Sequence, residues 1–391
     1  MKLVLLLQVL SAASSAHLNG PWSAALDLAG GQLPFDLNMR SSPLGGQLCN
    51  ANTCQPFSSV RWQRDTLLLE MADYAAAIKA TVHGDSLTGF YHNVGSRGPR
   101  TIPFRASRGR RPITPGPRQL LGSWNATFFQ DLGTSPRVFE FSNGRRGLEA
   151  RISSNTSDYG PFAGTTMADS FALGLFDGSF VYLLTGKLVG DTLRGIFHAG
   201  LKSQTPWVAV RSSGSPHLRS PTEISSADTS QPLRFGFPDL SGRMFRSDDP
   251  RIRGKVVLLE ILGSWCPTCH EATPTLLRLY QRYHSRGLEV IGLAFEATGD
   301  TAVDAAQARR FRDKFNIPFP ILLAGVNDEQ SIAEALPQLR DVTAFPTTVF
   351  LGRDGRVRWM YAGYHGFSRG KERLLEFDKQ VVRLLSEHQR R

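Results

Sequence analysis

Lys255-Val-Val-Leu-Leu-Glu-Ile-Leu262, then Gly263-Ser264, then Trp265-Cys266-Pro267-Thr268-Cys269 and the segment His270 to His284, is the stretch that decides how this chain is read. The apolar run has the length and β-branched content of a buried strand. The segment after the cysteines has a helical pattern. Cys266 therefore stands at a helix start, where unpaired backbone N–H groups and the positive end of the helix dipole favour a thiolate. Cys269 follows one turn later and can attack a mixed disulfide formed on Cys266. This spacing points to reversible dithiol–disulfide exchange.

Two other uses of the pair are weaker. A zinc site needs about four ligands. The chain has four cysteines, and the other two, Cys49 and Cys54, lie far upstream. His284 is too far along the helix to share a site with His270. No metal and no cofactor are expected. A purely structural bridge is disfavoured because closing so small a loop gains little chain entropy.

Several separated pieces resemble the thioredoxin fold, specifically the TlpA/ResA-like extracytoplasmic branch of the AhpC/TSA–redoxin superfamily. They are Phe237-Pro238-Asp239-Leu240, Arg253-Gly-Lys-Val-Val-Leu258, Trp265-Cys-Pro-Thr-Cys269, Glu271-Ala-Thr-Pro274 and Ala344-Phe345-Pro346-Thr-Thr-Val-Phe350. The resemblance implies a thioredoxin-like α/β domain at residues 233–391. In it Cys266 would be the exposed attacking thiol and Cys269 the more buried resolving thiol. Pro346 matches the family's cis-proline, and cis X–Pro bonds are uncommon enough to mark a shaped site. Phe345 would then offer its backbone to an extended substrate segment. Trp265, Pro267 and Thr268 would complete the substrate-binding surface.

Glu260 interrupts the apolar strand six positions before Cys266. Thioredoxin proper has a buried aspartate at the matching place, whereas many TlpA-like proteins are uncharged there. A carboxylate at this position can take the proton of the resolving thiol, and burial raises its pKa towards the working range. Glu271 reads as a first-turn helix acid, His270 as a surface helix residue, and Pro274 as a kink in the helix.

The remaining C-terminal sequence alternates strand and helix patterns. Gly287 to Phe295 and Ile317 to Leu323 read as strands. Ala302 to Phe315, Asp328 to Leu336 and Ser368 to His388 read as helices. Gly352-Arg-Asp-Gly355 is a hairpin turn between Val349–Leu351 and Val357–Tyr361. Such alternation implies a sheet covered on both faces.

The chain opens with Lys2, the apolar Leu3 to Leu10, and Ser11-Ala-Ala-Ser-Ser-Ala16, the pattern of a cleaved export signal over residues 1–16. Export to the periplasm or cell envelope is expected, with no transmembrane anchor. Between this segment and the cysteines lies an internal repeat at a spacing of about one hundred residues. Gly84-Asp-Ser-Leu-Thr-Gly-Phe-Tyr-His92 matches Gly190-Asp-Thr-Leu-Arg-Gly-Ile-Phe-His198, and Gly20-Pro-Trp22 matches Gly122-Ser-Trp124. Short alternating segments between turn residues imply all-β modules, a sandwich or small barrel, at 17–95 and 119–211. Linkers are expected at 96–118 and 212–232, the second flexible. His92 and His198 recur at equivalent places and read as structural. Cys49 and Cys54 would form a loop-stapling disulfide in an oxidising compartment, or exchange electrons with Cys266 and Cys269.

The chain has 391 residues and a formal charge of +11. No nucleic-acid motif accompanies the basic residues, and nucleic acid is not an expected partner. The expected function is an exported thiol–disulfide oxidoreductase acting on disulfide-bearing proteins, as a reductant fed by a membrane thiol donor, which is the usual role of the TlpA-like relatives. A peroxiredoxin-like peroxidase is the second reading, weakened by Gly263 at the place where that chemistry has a threonine. A ligand- or protein-binding role for the β modules, with the redox domain as accessory, is the third.

Overall fold

A computed structural model describes residues 18–95, 98–214 and 217–387. The expected signal at 1–16 lies outside them. The described residues divide into two compact units, one holding both β modules and ending at 217, the other centred on residues 218–387.

The first module is a nine-stranded antiparallel sheet. Its strands are β1 (Gly20–Leu28), β2 (Gly31–Ser41), β3 (Leu44–Asn50), β4 (Thr53–Pro56), β5 (Ser59–Gln63), β6 (Thr66–Met71), β7 (Ala76–His83), β8 (Ser86–Gly95) and β9 (Gly98–Arg108). They run in the order β4-β3-β2-β1-β9-β8-β7-β6-β5. The second module is a closed eight-stranded barrel of β10 (Gly122–Gln130), β11 (Gly133–Gly144), β12 (Gly147–Ser153), β13 (Asp158–Met167), β14 (Ser170–Phe176), β15 (Val181–Val189), β16 (Thr192–Ala199) and β17 (Ser203–Arg211).

The sequence repeat marks matching parts of the two modules. Gly84 and Gly190 begin the two-residue turns β7–β8 and β15–β16, at φ +57° and +60°, where a side chain would be strained. Trp22 and Trp124 each donate their indole N–H to the carbonyl four residues earlier, Leu18 and Leu120, at 2.9 and 2.8 Å. Each is also covered by an arginine from the paired last strand, Arg108 and Arg211. The modules share a hydrophobic core, since Phe176, Val181 and Leu183 of the barrel pack with the apolar residues of the first sheet. Buried Asn50 bridges them, donating to Phe176 O at 2.6 Å and accepting from Phe176 N at 3.1 Å.

Both expected linkers need correction. Residues 98–108 of the 96–118 stretch form β9, which pairs with β1 and belongs to the first module. Arg111 then donates to the Ala24 and Phe35 carbonyls at 3.0 and 2.9 Å. Proline and glycine suggested a free linker, but alternate residues Ile102, Phe104 and Ala106 point inward and bury. The 212–232 stretch is also tied down. It carries β18 (Ser226–Ala227), whose partner strand is at Leu339–Arg340, and Ser225 Oγ donates to Asp341 O at 2.9 Å.

The second unit continues with β19 (Gly236–Pro238), β20 (Met244–Arg246), β21 (Val256–Leu262), α1 (Pro267–Tyr283), β22 (Leu288–Glu296), α2 (Thr301–Phe315), β23 (Ile321–Val326), α3 (Glu329–Ala335), β24 (Leu339–Arg340), β25 (Thr347–Leu351), β26 (Val357–Ala362) and α4 (Gly366–Ser386). Its five-stranded sheet has the order β23-β22-β21-β25-β26. β21, β22 and β23 are parallel, β25 pairs antiparallel with β21, and β26 pairs antiparallel with β25. β21 and β22 are buried along their whole lengths, as strands covered on both faces must be. This is the thioredoxin-like α/β domain that the sequence implied, placed after the β modules. α1 continues through Pro274. Among the described residues no helix is long and apolar enough to cross a membrane.

Candidate active site

Central strand β21 ends at Leu262, and the chain turns through Gly263, Ser264 and Trp265 into α1. Cys266 is the N-cap of that helix and Pro267 its first residue, where a missing N–H costs nothing. Cys266 N donates to Gly263 O at 3.0 Å, and Cys269 N and His270 N both donate to Cys266 O. Both thiols are free. Cys266 Sγ donates to Phe345 O at 3.5 Å, and the Phe345–Pro346 bond that follows is cis. The structure therefore gathers Cys266, Cys269, Phe345 and Pro346 at one place. Trp265 packs its ring on Phe345 with centroids 5.1 Å apart and donates Nε1–H to Phe295 O at 3.0 Å.

Gly263 makes room for the Trp265 indole. A Cβ there would stand 2.2 Å from Trp265 Nε1, inside van der Waals contact.

Glu260 is 2% exposed, in the middle of β21, and accepts a bond from Thr348 Oγ1 at 2.7 Å. Burial pushes its pKa up to about 8, against the smaller opposing pull of the Thr348 hydroxyl. The Cys269 thiol is pushed well up by burial first, then by its hydrogen bond to Cys266 and the charge of Cys266, with a smaller upward push from Glu260.

Several expectations are corrected. Cys266, expected to be exposed, is only 4% exposed, close to the 2% of Cys269. Pro267 and Thr268 are buried, while Trp265 and Phe345 are half-buried and present the accessible surface. Glu271 lies beyond the first turn of α1, which holds no acid. His270 is buried, not on the surface. Its ring meets Phe311 and Phe315 edge to face.

The sequence reading missed Ser264 and Glu296. Glu296 closes the apolar run of β22 just as Glu260 interrupts that of β21, and this was the available signal. Its carboxylate accepts from Ser264 N at 3.0 Å and from Ser264 Oγ at 2.6 Å.

Outside this unit, Cys49 and Cys54 are bonded to each other as directly opposed residues of the β3–β4 hairpin. His92 and His198 hold no common site. His92 meets Thr101 Oγ1 at 3.0 Å, while His198 is buried against Gly30. Among the described residues no group of three or more His, Cys, Asp or Glu could hold a metal ion.

Residues 231–372 match the family model described as Redoxin. This stretch is a redoxin domain. Relatives found by sequence align with part of the chain. A thiol-disulfide oxidoreductase ResA of Geobacillus thermodenitrificans is 27% identical over 129 residues, covering 33% of this chain and 66% of that protein. One from Bacillus thuringiensis (strain Al Hakam) is 29% identical over 148 residues, 38% of this chain and 75% of that one. Among solved structures, a thiol:disulfide interchange protein of the thioredoxin family from Chlorobium tepidum TLS is similar with a TM-score of 0.31 and 18% identity, over 41% of this chain and 99% of that one. The family model leaves the β modules unmatched, and each of these relatives covers less than half of the chain.

Proposed function

We propose that the redoxin domain is a thiol–disulfide oxidoreductase for disulfide-bearing proteins, with Cys266 as nucleophile and Cys269 as resolving thiol. The supporting observation is the Cys266 thiol at the α1 N-cap, set against Phe345 O beside cis-Pro346. Cys266 loses its proton to solvent, its thiolate attacks one sulfur of the substrate disulfide, and the other substrate sulfur leaves as a thiolate. Cys269 gives its proton to Glu260 and attacks Cys266 sulfur, the bound substrate sulfur leaves as a second thiolate, and both substrate thiolates are protonated from Glu260 and solvent. The products are the reduced substrate and a Cys266–Cys269 disulfide. A thiol donor, in this reading a membrane one, returns the pair to the dithiol. The protein works as an exported reductant in the periplasm or cell envelope, with the half-buried Trp265 and Phe345 receiving the substrate segment. The names of the sequence relatives support the reaction class. The peroxidase alternative is disfavoured because position 263 lies under the Trp265 indole and leaves no room for a threonine side chain.

The test is insulin-disulfide reduction by the full chain with dithiothreitol as donor. Cys266→Ser abolishes turnover, and Cys269→Ser traps a mixed disulfide visible by mass spectrometry. Full activity in Cys266→Ser overturns the proposal.

A further inference from the structure

Ser264 stands two residues before Cys266 and is 0% exposed. All three of its polar groups are held. Its N–H and Oγ–H go to separate oxygens of Glu296, and its carbonyl accepts from His270 Nε2 at 2.8 Å. With the proton on Nε2, His270 Nδ1 is the acceptor for Lys314 Nζ at 3.2 Å. Glu296 ends β22, His270 follows Cys269 in α1, and Lys314 comes from α2. Three elements thus grip one residue of the turn that presents the attacking thiol.

We propose that Glu296 and His270 are positioning residues for the dithiol, and that the grip on Ser264 is strongest when Glu296 is ionised, so that Glu296 sets a proton-dependent control on Cys266. This rests on the oxidoreductase reading above and adds a regulatory group to it.

The reason is hydrogen-bond inventory. An ionised carboxylate accepts on both oxygens, which matches two donors on one residue. A protonated carboxyl keeps both contacts only by reversing one, its O–H donating to Ser264 Oγ, and it loses the charge assistance that makes both bonds strong. Trp265 shares the consequence, because its indole is bonded to Phe295 O beside Glu296. The groups facing Glu296 are Ser264 from the turn and Asp304 from α2. Asp304 is itself occupied by Thr298 Oγ1 and Gly299 N at 2.6 and 2.9 Å. His270 and Lys314 approach through Ser264 rather than directly. Burial pushes Glu296 up to about 7, with the Ser264 bonds pulling down and Asp304 adding a smaller upward push. Its charge therefore changes across the neutral range.

The experiment is alkylation of the reduced full chain by iodoacetamide, with Cys266 and Cys269 peptides quantified by mass spectrometry. Wild type, Glu296→Gln and Ser264→Ala are compared from pH 5.5 to 8.5. The wild-type-to-variant rate ratio for Cys266 removes the thiol's own titration. That ratio should be near one below pH 6 and rise about fivefold above pH 8, the weight of one hydrogen bond. Ser264→Ala, which removes only the Oγ bond, should show the same trend and keeps the test open if Glu296→Gln folds poorly. A ratio constant with pH in both variants overturns the inference while leaving the oxidoreductase reading intact. Preferential alkylation of Cys269 in the wild type would instead overturn the oxidoreductase reading itself.

Discussion

Replacing Glu260 by glutamine should change how stability depends on pH more than it changes stability at any one pH. Glu260 is buried in the central strand and accepts a hydrogen bond from the Thr348 hydroxyl. Its carboxyl rises from an ordinary 4.5 to about 8 in the folded protein. A carboxyl raised in this way keeps its proton in the native state. The stabilisation is present in full below about 4.5 and is lost as pH climbs to 8, since the unfolded chain ionises first. At 1.36 kcal/mol per unit, that window is worth about 5 kcal/mol as an upper order of magnitude. Glu296, raised to about 7, adds a smaller loss of the same sign and stays in both proteins. Denaturant titration of the full chain, wild type and Glu260→Gln, at pH 5, 7 and 9 isolates the difference. The transition belonging to the redoxin domain should nearly coincide at pH 5. At pH 9 the variant should exceed wild type by several kcal/mol. Equal pH dependence in the two proteins would refute the burial argument. The variant should pay in turnover, because amide nitrogen and oxygen cannot accept the Cys269 proton in the way a carboxylate does. About one tenth of Glu260 is ionised at pH 7 in wild type, so turnover limited by resolution should climb towards pH 8 and lose that climb in Glu260→Gln.

Other consequences follow from single contacts. Gly263→Ala places a methyl 2.2 Å from Trp265 Nε1 and should cost about 1–3 kcal/mol, with Trp265 displaced and insulin reduction reduced, read by melting temperature and turnover together. Asn50→Ala leaves the buried N–H and C=O of Phe176 without their amide partners and should lower stability of the β unit by about 2–4 kcal/mol, measured by denaturant titration. The Cys49→Ser, Cys54→Ser double variant should keep insulin reduction within about twofold, because a bridge across a tight hairpin staples only local structure. A near-complete loss of turnover would mean that electrons pass through that pair.

The redoxin domain was legible because its chemistry needs rigid neighbours that leave marks in sequence. A strand covered on both faces reads as a continuous apolar run, so one carboxylate within it, Glu260, stands out. The repeat was legible because hairpin turns demand glycine at positive φ, and Gly84 and Gly190 hold the register of the remaining residues. What failed was burial of polar residues by distant partners. His270 has the polarity of a surface residue, yet Phe311, Phe315 and the Ser264 carbonyl enclose it from elements that sequence spacing cannot bring to it. The 96–118 stretch failed for the opposite reason. Its glycine, proline and arginine content outweighed the inward alternation of Ile102, Phe104 and Ala106, which enter the first module's core from the strand beside β1.

The two buried acids divide the work of the proposed reaction by where they attach. Glu260 couples electrostatically to Cys269, the thiol that must lose a proton before it can attack, and lies on the strand rather than the turn. Glu296 couples to the backbone that carries Cys266, through Ser264, with no proton to give the thiol directly. One acid therefore bears on proton transfer and the other on geometry. Both are raised by the same burial, so each ionises only as pH climbs out of the acid range. Mixed disulfide should consequently accumulate more in Glu260→Gln, which loses the proposed acceptor for the resolving thiol's proton, than in Glu296→Gln, which loses only the grip on Ser264, when the reaction is quenched with acid and the trapped species are weighed.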